Sequence, residues 1–185
     1  MSLTLDAAAS ALLLIDVQER FLTAVPAIAA DQPCGRTCRM LLQAAGLLGV
    51  PRLISEQYPA GLGATLPHLV EVAPDVPRLP KMHFSCAEDP ALAAAIDGLG
   101  RRQLVLAGIE AHVCVLTTAA DLAARGYQVV IAGDATASRD PAHVPMALAA
   151  ARDLGVLVLP GETIAMRWQR RAGVGAFKEI SRLIR

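Results

Sequence analysis

Short runs of apolar residues alternate along the chain with longer stretches in which apolar residues recur every three or four positions. The short runs are rich in Val, Leu and Ile, as in strands that are buried on both faces of a sheet, whereas the longer stretches have helical periodicity. Strands are predicted at residues 11–17, 51–57, 78–82, 103–109, 128–135 and 156–160. This alternation indicates an α/β protein with a mostly parallel sheet that carries helices on both faces.

Helices are predicted at residues 34–48, 90–99, 111–125, 141–154, 162–170 and 174–184. Several of them end at a glycine, which is typical of the left-handed residue that closes many helices: Gly49, Gly100, Gly126 and Gly155. Residues 58–81 contain five prolines and break the alternation of strand and helix patterns. We therefore expect a long folded connection there rather than a continuous helix. Long connections on a rigid scaffold commonly carry functional residues.

The length of 185 residues fits a single domain, residues 1–185. No apolar run approaches the roughly 20 residues needed to span a bilayer, so no membrane partner is expected. The opening segment "MSLTLDAAAS" has no basic stretch before an apolar one, so we expect neither a secretory signal nor a transit peptide, and we assign the protein to the cytoplasm. The four cysteines are then expected to be reduced thiols.

The charge pattern bears on possible partners. Basic and acidic residues balance at 17 each, and the basic residues form no stripe interleaved with aromatic ones, so no nucleic acid partner is expected. The basic tail "RWQRRAGVGAFKEISRLIR" is interpreted as the solvated face of a terminal helix. Four apolar residues of this tail have spacings that suit docking onto a core: Trp168, Phe177, Ile180 and Leu183. The expected partner is therefore a small-molecule substrate.

Candidate chemistry lies at the ends of the predicted strands. In an open parallel sheet, ligands bind beyond the carboxyl ends of the strands. Asp16, Lys81 and Cys114 each lie at or near such an end, so their side chains are predicted to converge on one edge of the sheet. Cys114 falls in the first turn of a helix, where unpaired amides and the helix dipole lower a thiol pKa and favour a nucleophile. The alternative for Cys114 is a small, buried apolar side chain.

Asp16 and Lys81 have structural alternatives as well. The Asp16 carboxylate emerges from a buried strand into a cleft, where a raised pKa suits a base, but such an acid also serves to cap a neighbouring loop. Lys81 leaves a short strand that we place at the centre of the sheet, from which its ammonium group reaches both other side chains. The alternative for Lys81 is an exposed, solvated charge.

Three segments carry a family resemblance: "LLLIDVQERF" at residues 12–21, "KMHFSC" at 81–86 and "GIEAHVCVLTTAADL" at 108–122. In this order and spacing they resemble the isochorismatase-like cysteine hydrolases, a superfamily that includes nicotinamidases and N-carbamoylsarcosine amidase. The details "SEQYPAGLG" and "FKEIS" are most similar to the branch called isochorismatase domain-containing proteins. The resemblance implies a three-layer α/β/α sandwich with a six-stranded, Rossmann-like sheet, and a homo-oligomer, either a dimer or a tetramer.

The resemblance also implies a catalytic triad of Asp16, Lys81 and Cys114. Asp16 would take the thiol proton, Lys81 would stabilise the thiolate, and Cys114 would attack a carbonyl carbon to form an acyl-enzyme. A cis peptide bond between Ile109 and Glu110 is implied as well, with the Glu110 and Cys114 amides forming an oxyanion hole. The implied activity is hydrolysis of a small amide, carbamoyl or related acyl compound.

The substrate pocket is expected to contain few aromatic residues, because they make up only 3% of the chain. Phe21 resembles a substrate-lining aromatic residue of the family, with core packing as its alternative, and Gln18 resembles a polar neighbour of the acid. Tyr58, Phe84 and His112 complete the expected lining.

No metal ion or other cofactor is expected. Nicotinamidases carry an Asp and His metal cluster after the second strand, whereas "SEQYPAGLG" offers Glu56 with no adjacent histidine. The histidines are scattered and form no pair with metal-ligand spacing: His68, His83, His112 and His143. This departure also argues against a pyridine carboxamide substrate.

Two other functions stay open at this point. One is a true isochorismatase, which cleaves a vinyl ether with a protonating acid and does not need the thiol. The other is an interaction protein on a retained hydrolase scaffold, in which the triad is vestigial. A Cys114 thiol whose reactivity depends on Asp16 and Lys81 would distinguish an enzyme from an inert scaffold.

Overall fold

The structure, a computed structural model, describes residues 5–184. Residues 1–4 and 185 lie outside this range. Three predictions therefore extend beyond the described residues. These are the absence of a leader in the opening segment, the bounds of the single domain, and the basic tail, whose last residue is 185.

The described residues form one sheet in which every neighbouring pair of strands is parallel. The strands are β1 (Ser10–Ile15), β2 (Arg52–Gln57), β3 (Arg78–Lys81), β4 (Gln103–Ile109), β5 (Gln128–Ala137) and β6 (Leu157–Leu159). They lie side by side in the order β3-β2-β1-β4-β5-β6. All six predicted strands are confirmed, and their ends differ from the prediction by at most two residues.

The α-helices of this range are α1 (Phe21–Ala24), α2 (Pro33–Leu47), α3 (Pro59–Leu62), α4 (Pro67–Val70), α5 (Pro90–Gly98), α6 (Leu116–Ala124), α7 (His143–Asp153), α8 (Gly161–Gln169) and α9 (Phe177–Leu183). Short 3-10 turns lie at Ala7–Ala9 and Pro26–Ile28. The predicted helix at residues 111–125 begins as a π-helical turn, Ala111–Val115, before α6. The connection at residues 58–81 is folded, as expected, and contains α3 and α4. The four predicted closing glycines have φ angles of +62° to +86°.

Two apolar clusters, one on each face of the sheet, form the core. Successive residues of a strand point to opposite faces, so Leu12 of β1 enters one cluster and Leu13 enters the other. The first cluster also buries Trp168 of α8 and Ile180 of α9, which confirms that these two residues of the tail dock onto the core. The second cluster buries Leu122 of α6. The fold is therefore the predicted α/β/α sandwich.

The strand order reverses between β1 and β4, and a crevice opens beyond the strand ends at such a point. Gly108 of β4 has a φ of +113°, and a Cβ atom there would lie 2.0 Å from the carbonyl oxygen of Ile15. Only glycine permits this close approach of the two strand ends. The segments that follow, beginning with Asp16 after β1 and Glu110 after β4, are held side by side as a result.

The position of β3 corrects one prediction. This strand lies at the edge of the sheet, so the placement of Lys81 on a central strand is wrong. Pro80 lies within β3 and is a physical reason for the edge position, because proline cannot donate a hydrogen bond to a further neighbour.

Within residues 5–184, no helix has both the length and the apolar composition needed to cross a membrane.

Candidate active site

Three side chains meet beyond the ends of β1, β3 and β4. Lys81 Nζ lies 2.7 Å from Asp16 Oδ2 and 3.5 Å from Cys114 Sγ. The Asp16 carboxylate is close enough to the Cys114 thiol to raise the thiol pKa. Asp16 and Lys81 are each 1% exposed, and Cys114 is 6% exposed. The acid, the ammonium group and the thiol thus form one buried cluster, called the acid–lysine–thiol cluster below.

Lys81 is held by several acceptors. Its ammonium group donates to Gln57 Oε1 at 2.5 Å and to the backbone carbonyls of His83 and Phe84 at 3.2 and 3.1 Å. Gln57 is fixed in turn by Gln18, whose Oε1 accepts from the Gln57 amide at 2.7 Å and whose Nε2 donates to the Gln57 carbonyl at 3.0 Å. The cation therefore has a fixed position and little freedom to turn toward solvent.

Ser55, at the end of β2, fixes the acid. Its hydroxyl donates to Asp16 Oδ1 at 2.7 Å, and Ser55 is fully buried. The two carboxylate oxygens thus have different partners, since Oδ2 faces the ammonium group of Lys81. Asp16 itself has a φ of +55°, a left-handed conformation that aspartate tolerates better than most residues.

The resting thiol is neutral. Burial, and next the charge of Asp16, raise the pKa of Cys114 to about 12 against the opposing effect of Lys81. The prediction that its position in the first helical turn lowers this pKa is wrong, because burial and a neighbouring carboxylate both disfavour the thiolate. Burial by itself would lower the pKa of Lys81, but the charge of Asp16 raises it above its ordinary value. Lys81 therefore stays positively charged at neutral pH.

Cys86 is a second buried thiol close to this cluster. Its backbone amide donates to Thr118 Oγ1 at 2.9 Å, which ties the segment after β3 to α6. Cys86 is 0% exposed, and burial raises the pKa of its thiol to about 11. It provides a buried thiol of the same chain against which the reactivity of Cys114 can be compared.

Glu110 lies at the start of the helical segment that carries Cys114. The peptide bond between Ile109 and Glu110 is cis, as the family resemblance implies. The Glu110 carbonyl accepts from the amides of Val113 and Val115 at 3.1 and 3.2 Å. Burial alone would raise the pKa of the Glu110 carboxyl, but hydrogen bonds and charge from Arg139 lower it. Glu110 is therefore a fixed anion at this helix start.

The predicted substrate-lining residues occupy different surroundings. Tyr58 and Phe84 are 49% and 60% exposed and border Lys81 through their backbones, since the Tyr58 amide donates to the Lys81 carbonyl at 2.9 Å. Phe21 is half-buried and packs against the apolar cluster that contains Leu12, on the opposite face of the sheet from the cluster that contains the thiol. This packing favours the core alternative for Phe21.

Gln18 and His112 have polar partners of their own. Gln18 is fully buried, and its Nε2 also donates to the carbonyl of Gly63 at 2.7 Å, so its amide is engaged with the backbone. His112 precedes Cys114 by two residues and is half-buried. Its Nδ1 lies 3.0 Å from Ser138 Oγ. Its ring centroid lies 4.5 Å from that of His143.

Glu56, the acid where nicotinamidases are expected to bind metal, is engaged within its own loop. Its Oε1 accepts from the amide and the hydroxyl of Thr65 at 2.8 and 2.7 Å. In the part of the chain that the structure describes, no group of three or more His, Cys, Asp or Glu side chains is placed to hold a metal ion.

Sequence reasoning missed Ser55, Arg139 and the contact of Gln57 with Lys81. Ser55 and Gln57 belong to the last residues of β2, and Arg139 follows β5. All three obey the rule that functional side chains lie at strand ends. The same rule, applied to the end of β5, would have identified Arg139.

Comparisons with known proteins agree with this architecture. Residues 10–163 match the family model described as the isochorismatase domain. The chain is 39% identical over 177 residues to isochorismatase domain-containing protein 2A of Mus musculus, an alignment that covers 95% of this chain and 82% of the mouse protein.

Solved structures are similar over nearly the whole chain. The MAR1 ribonuclease of Caenorhabditis elegans has a TM-score of 0.87 and 33% identity, covering 97% of this chain and 91% of the nematode chain. The YcaC gene product of Escherichia coli, described as an octameric hydrolase of unknown specificity, has a TM-score of 0.86 and 22% identity, covering 92% and 84% of the two chains. At that identity the second likeness shows the fold alone.

Proposed function

The chain belongs to the isochorismatase domain family, and we propose that it is a metal-independent cysteine hydrolase that cleaves a small amide, carbamoyl or related acyl compound. The observation that carries this proposal is the contact of Lys81 Nζ with both Asp16 Oδ2, at 2.7 Å, and Cys114 Sγ, at 3.5 Å. A base and a nucleophile that contact the same fixed cation form the kind of arrangement that nucleophilic catalysis uses.

The reaction begins when a bound carbonyl carbon approaches the neutral thiol of Cys114. The S–H proton passes to the Asp16 carboxylate, and the resulting thiolate then bonds through Sγ to the carbonyl carbon as the carbonyl electron pair moves onto oxygen. The amides of Glu110 and Cys114 are proposed to donate to this oxyanion. In other hydrolases the loss of one such donor slows turnover by about 100- to 1,000-fold.

The tetrahedral intermediate then collapses. Its bond to the leaving nitrogen or oxygen breaks, the leaving group takes the proton from Asp16, and the acyl group stays on Cys114. In the second half, Asp16 accepts a proton from water as the water oxygen attacks the acyl carbon. The carboxylic acid leaves, and the thiol regains its proton.

Lys81 makes the first proton transfer possible inside a buried site. Before transfer it pairs with the Asp16 carboxylate, and after transfer it pairs with the Cys114 thiolate, so the net charge of the cluster stays at zero. A buried pair is costly mainly when one charge is left alone. The fixed ammonium group lets the negative charge move from oxygen to sulfur without such a state.

The burial of the cluster favours a small substrate. Cys114 is 6% exposed, and Lys81 is engaged with Asp16, so neither group lies open to a polymer backbone. The nematode relative is described as a ribonuclease, and RNA cleavage is the competing activity that its description suggests. We favour an acyl substrate because the thiol, which phosphodiester cleavage does not need, lies at the centre of the cluster.

Self-association is part of this proposal. Tyr58, Met82 and Phe84 border the cluster and are 49%, 66% and 60% exposed. A second copy of the chain that covers these apolar side chains would complete the pocket wall, and the E. coli relative is described as octameric. We propose a homo-oligomer, a dimer or a tetramer, which light scattering during size-exclusion chromatography measures directly.

The decisive experiment is intact-protein mass spectrometry with p-nitrophenyl acetate and a panel of small amides and carbamoyl compounds. We expect a single acyl group on Cys114, followed by its hydrolysis. Cys114→Ser and Asp16→Asn are expected to abolish turnover, whereas Cys86→Ser, which removes the other buried thiol of the region, retains it. A folded wild-type protein that is never acylated supports the vestigial scaffold instead. Hydrolysis of a vinyl ether that survives Cys114→Ser supports the isochorismatase reaction.

A further inference from the structure

The best-defined ion pair outside the acid–lysine–thiol cluster joins Glu110 to Arg139. The Glu110 carboxylate receives hydrogen bonds from Arg139 Nη2 at 2.7 Å, from Nε at 3.1 and 3.2 Å, and from the Arg139 backbone amide at 2.9 Å. One residue thus saturates the carboxylate from both its side chain and its main chain. This fork geometry fixes orientation as well as charge.

The two partners are unequally exposed. The side chain of Glu110 is 5% exposed, whereas that of Arg139 is 65% exposed. Removal of one partner of a buried pair is costly, because it leaves the other charge without its counterion. Its position therefore depends on Arg139, although the arginine itself lies at the surface.

The pair also connects two strand ends. Glu110 follows β4 and Arg139 follows β5, the neighbouring strand. The Glu110 carbonyl binds the amides of Val113 and Val115, so a shift of Glu110 is transmitted to the helical turn that carries the thiol. Through its hydrogen bonds to the Glu110 carboxylate, Arg139 in the segment after β5 thus fixes the start of this turn.

From these contacts we infer that Arg139 is a positioning residue for the oxyanion hole. It holds the Glu110 carboxylate, and through it the Glu110 backbone amide, in the orientation needed to donate to the oxyanion. This inference rests on the proposed function, because that function assigns the Glu110 amide to the oxyanion. Arg139 itself is not expected to contact the substrate.

Two small reagents separate this role from a general structural one. Acylation of Cys114 by p-nitrophenyl acetate passes through an oxyanion. The reaction of Cys114 with methyl methanethiosulfonate forms a methyl disulfide and expels methanesulfinate, with no oxyanion at any stage. Both reactions require the thiolate and access to the site, so their ratio reports the oxyanion hole alone.

We expect Arg139→Ala to slow acylation of Cys114 by about 10- to 100-fold, as for a displaced oxyanion donor, and to change the methanethiosulfonate rate by less than about twofold. Arg139→Lys, which keeps the charge but loses the fork, should lie in between. The matched control is Arg170→Ala, since Arg170 is 59% exposed and pairs with Asp6 at 3.5 Å, remote from the site. This control should change neither rate.

A double variant tests the coupling. In a Glu110→Gln background the buried charge is gone, so removal of Arg139 should slow acylation by a much smaller factor than in the wild type. Equal losses in both reactions, or no loss of acylation in Arg139→Ala and Arg139→Lys, would overturn the positioning role. A wild-type protein whose Cys114 reacts with methanethiosulfonate but is never acylated would instead overturn the proposed function, together with the inference that rests on it.

Discussion

The ammonium nitrogen of Lys81 lies 2.7 Å from the Asp16 carboxylate, although β2 separates the strands that carry the two residues. Neighbouring strands are about 4.8 Å apart, so the Lys81 and Asp16 side chains together span roughly 10 Å of sheet edge. Gln57, at the end of the intervening strand, binds the same ammonium group. The pair therefore links three strands, and its removal affects both stability and chemistry.

Lys81→Met should lower the free energy of unfolding by about 3–5 kcal/mol, because it leaves the buried Asp16 carboxylate without its counterion. Urea unfolding monitored by circular dichroism measures this change. Lys178→Met, at the other lysine of the chain, which is exposed, should change stability by less than about 0.5 kcal/mol. The double variant Asp16→Asn/Lys81→Met should regain part of the loss, since no unpaired charge remains. Equal free energies of unfolding for Lys81→Met and Lys178→Met would contradict a buried pair.

Alkylation of Cys114 by iodoacetamide should be slow at neutral pH and should rise about tenfold per pH unit through the range from 8 to 10, because the thiol pKa is about 12. Asp16→Asn removes a charge that raises this pKa, so the variant should alkylate faster at pH 8 while its acyl hydrolysis is lost. Peptide mass spectrometry assigns the rates to individual cysteines, with Cys86 as the buried comparison. A fast, pH-independent reaction of wild-type Cys114 would show a resting thiolate and refute this prediction.

Ser55→Ala should cost about 1.5–3 kcal/mol of stability, the range for a hydrogen bond to a charged group, because it removes the donor to Asp16 Oδ1. Ser10→Ala is the matched control: Ser10 is also fully buried, but the partners of its hydroxyl are neutral, the carbonyl of Asp6 at 2.6 Å and Gln103 Oε1 at 3.1 Å. Ser10→Ala should therefore lower the free energy of unfolding by about 1 kcal/mol. Chemical denaturation of both variants compares the two values, and a smaller cost for Ser55→Ala than for Ser10→Ala would contradict the assignment.

The stability contributed by Glu110 should depend on pH. Arg139 holds the folded-state pKa of Glu110 below its ordinary value of 4.5, so the folded protein binds fewer protons than the unfolded chain as the carboxyl titrates. The contribution is fully present above the unfolded value and is lost as pH falls through the folded value. The stability difference between wild type and Glu110→Gln should therefore be constant above about pH 6 and shrink below about pH 4.5.

Urea unfolding between pH 3 and 7 measures this difference. Glu179→Gln, at an exposed glutamate of α9, is the control and should show little pH dependence. A difference for Glu110→Gln that grows as the pH falls would have the wrong sign for a carboxylate stabilised by Arg139.

Gly108→Ala should destabilise the protein by more than about 3 kcal/mol, because the added Cβ would lie 2.0 Å from the Ile15 carbonyl oxygen and φ is +113°. Gly98→Ala is the control. Gly98 belongs to α5, a Cβ there meets nothing within 4 Å, and alanine favours helix by up to about 1 kcal/mol. The midpoint of thermal unfolding should fall for Gly108→Ala and rise for Gly98→Ala. An unchanged midpoint for Gly108→Ala would show that the ends of β1 and β4 have room to separate.

The sequence by itself determined the elements and the edge of the sheet that carries the chemistry. Buried parallel strands leave continuous apolar runs, and helices leave a period near 3.6, so both are local properties that the printed residues reveal. Parallel strands place all carboxyl ends on one side, so Asp16, Lys81 and Cys114 had to lie on the same edge. The motifs added the family and the cis bond between Ile109 and Glu110.

Only the tertiary structure decided which side chains touch and how they are charged. The edge position of β3 and the contacts of Ser55 and Gln57 follow from the order of strands, which depends on long-range pairing that no local pattern records. The raised pKa of Cys114 follows from burial and a carboxylate close in space, which outweigh the local effect of a helix start. The contact between Glu110 and Arg139, 29 residues apart, likewise forms only when β4 and β5 become neighbours.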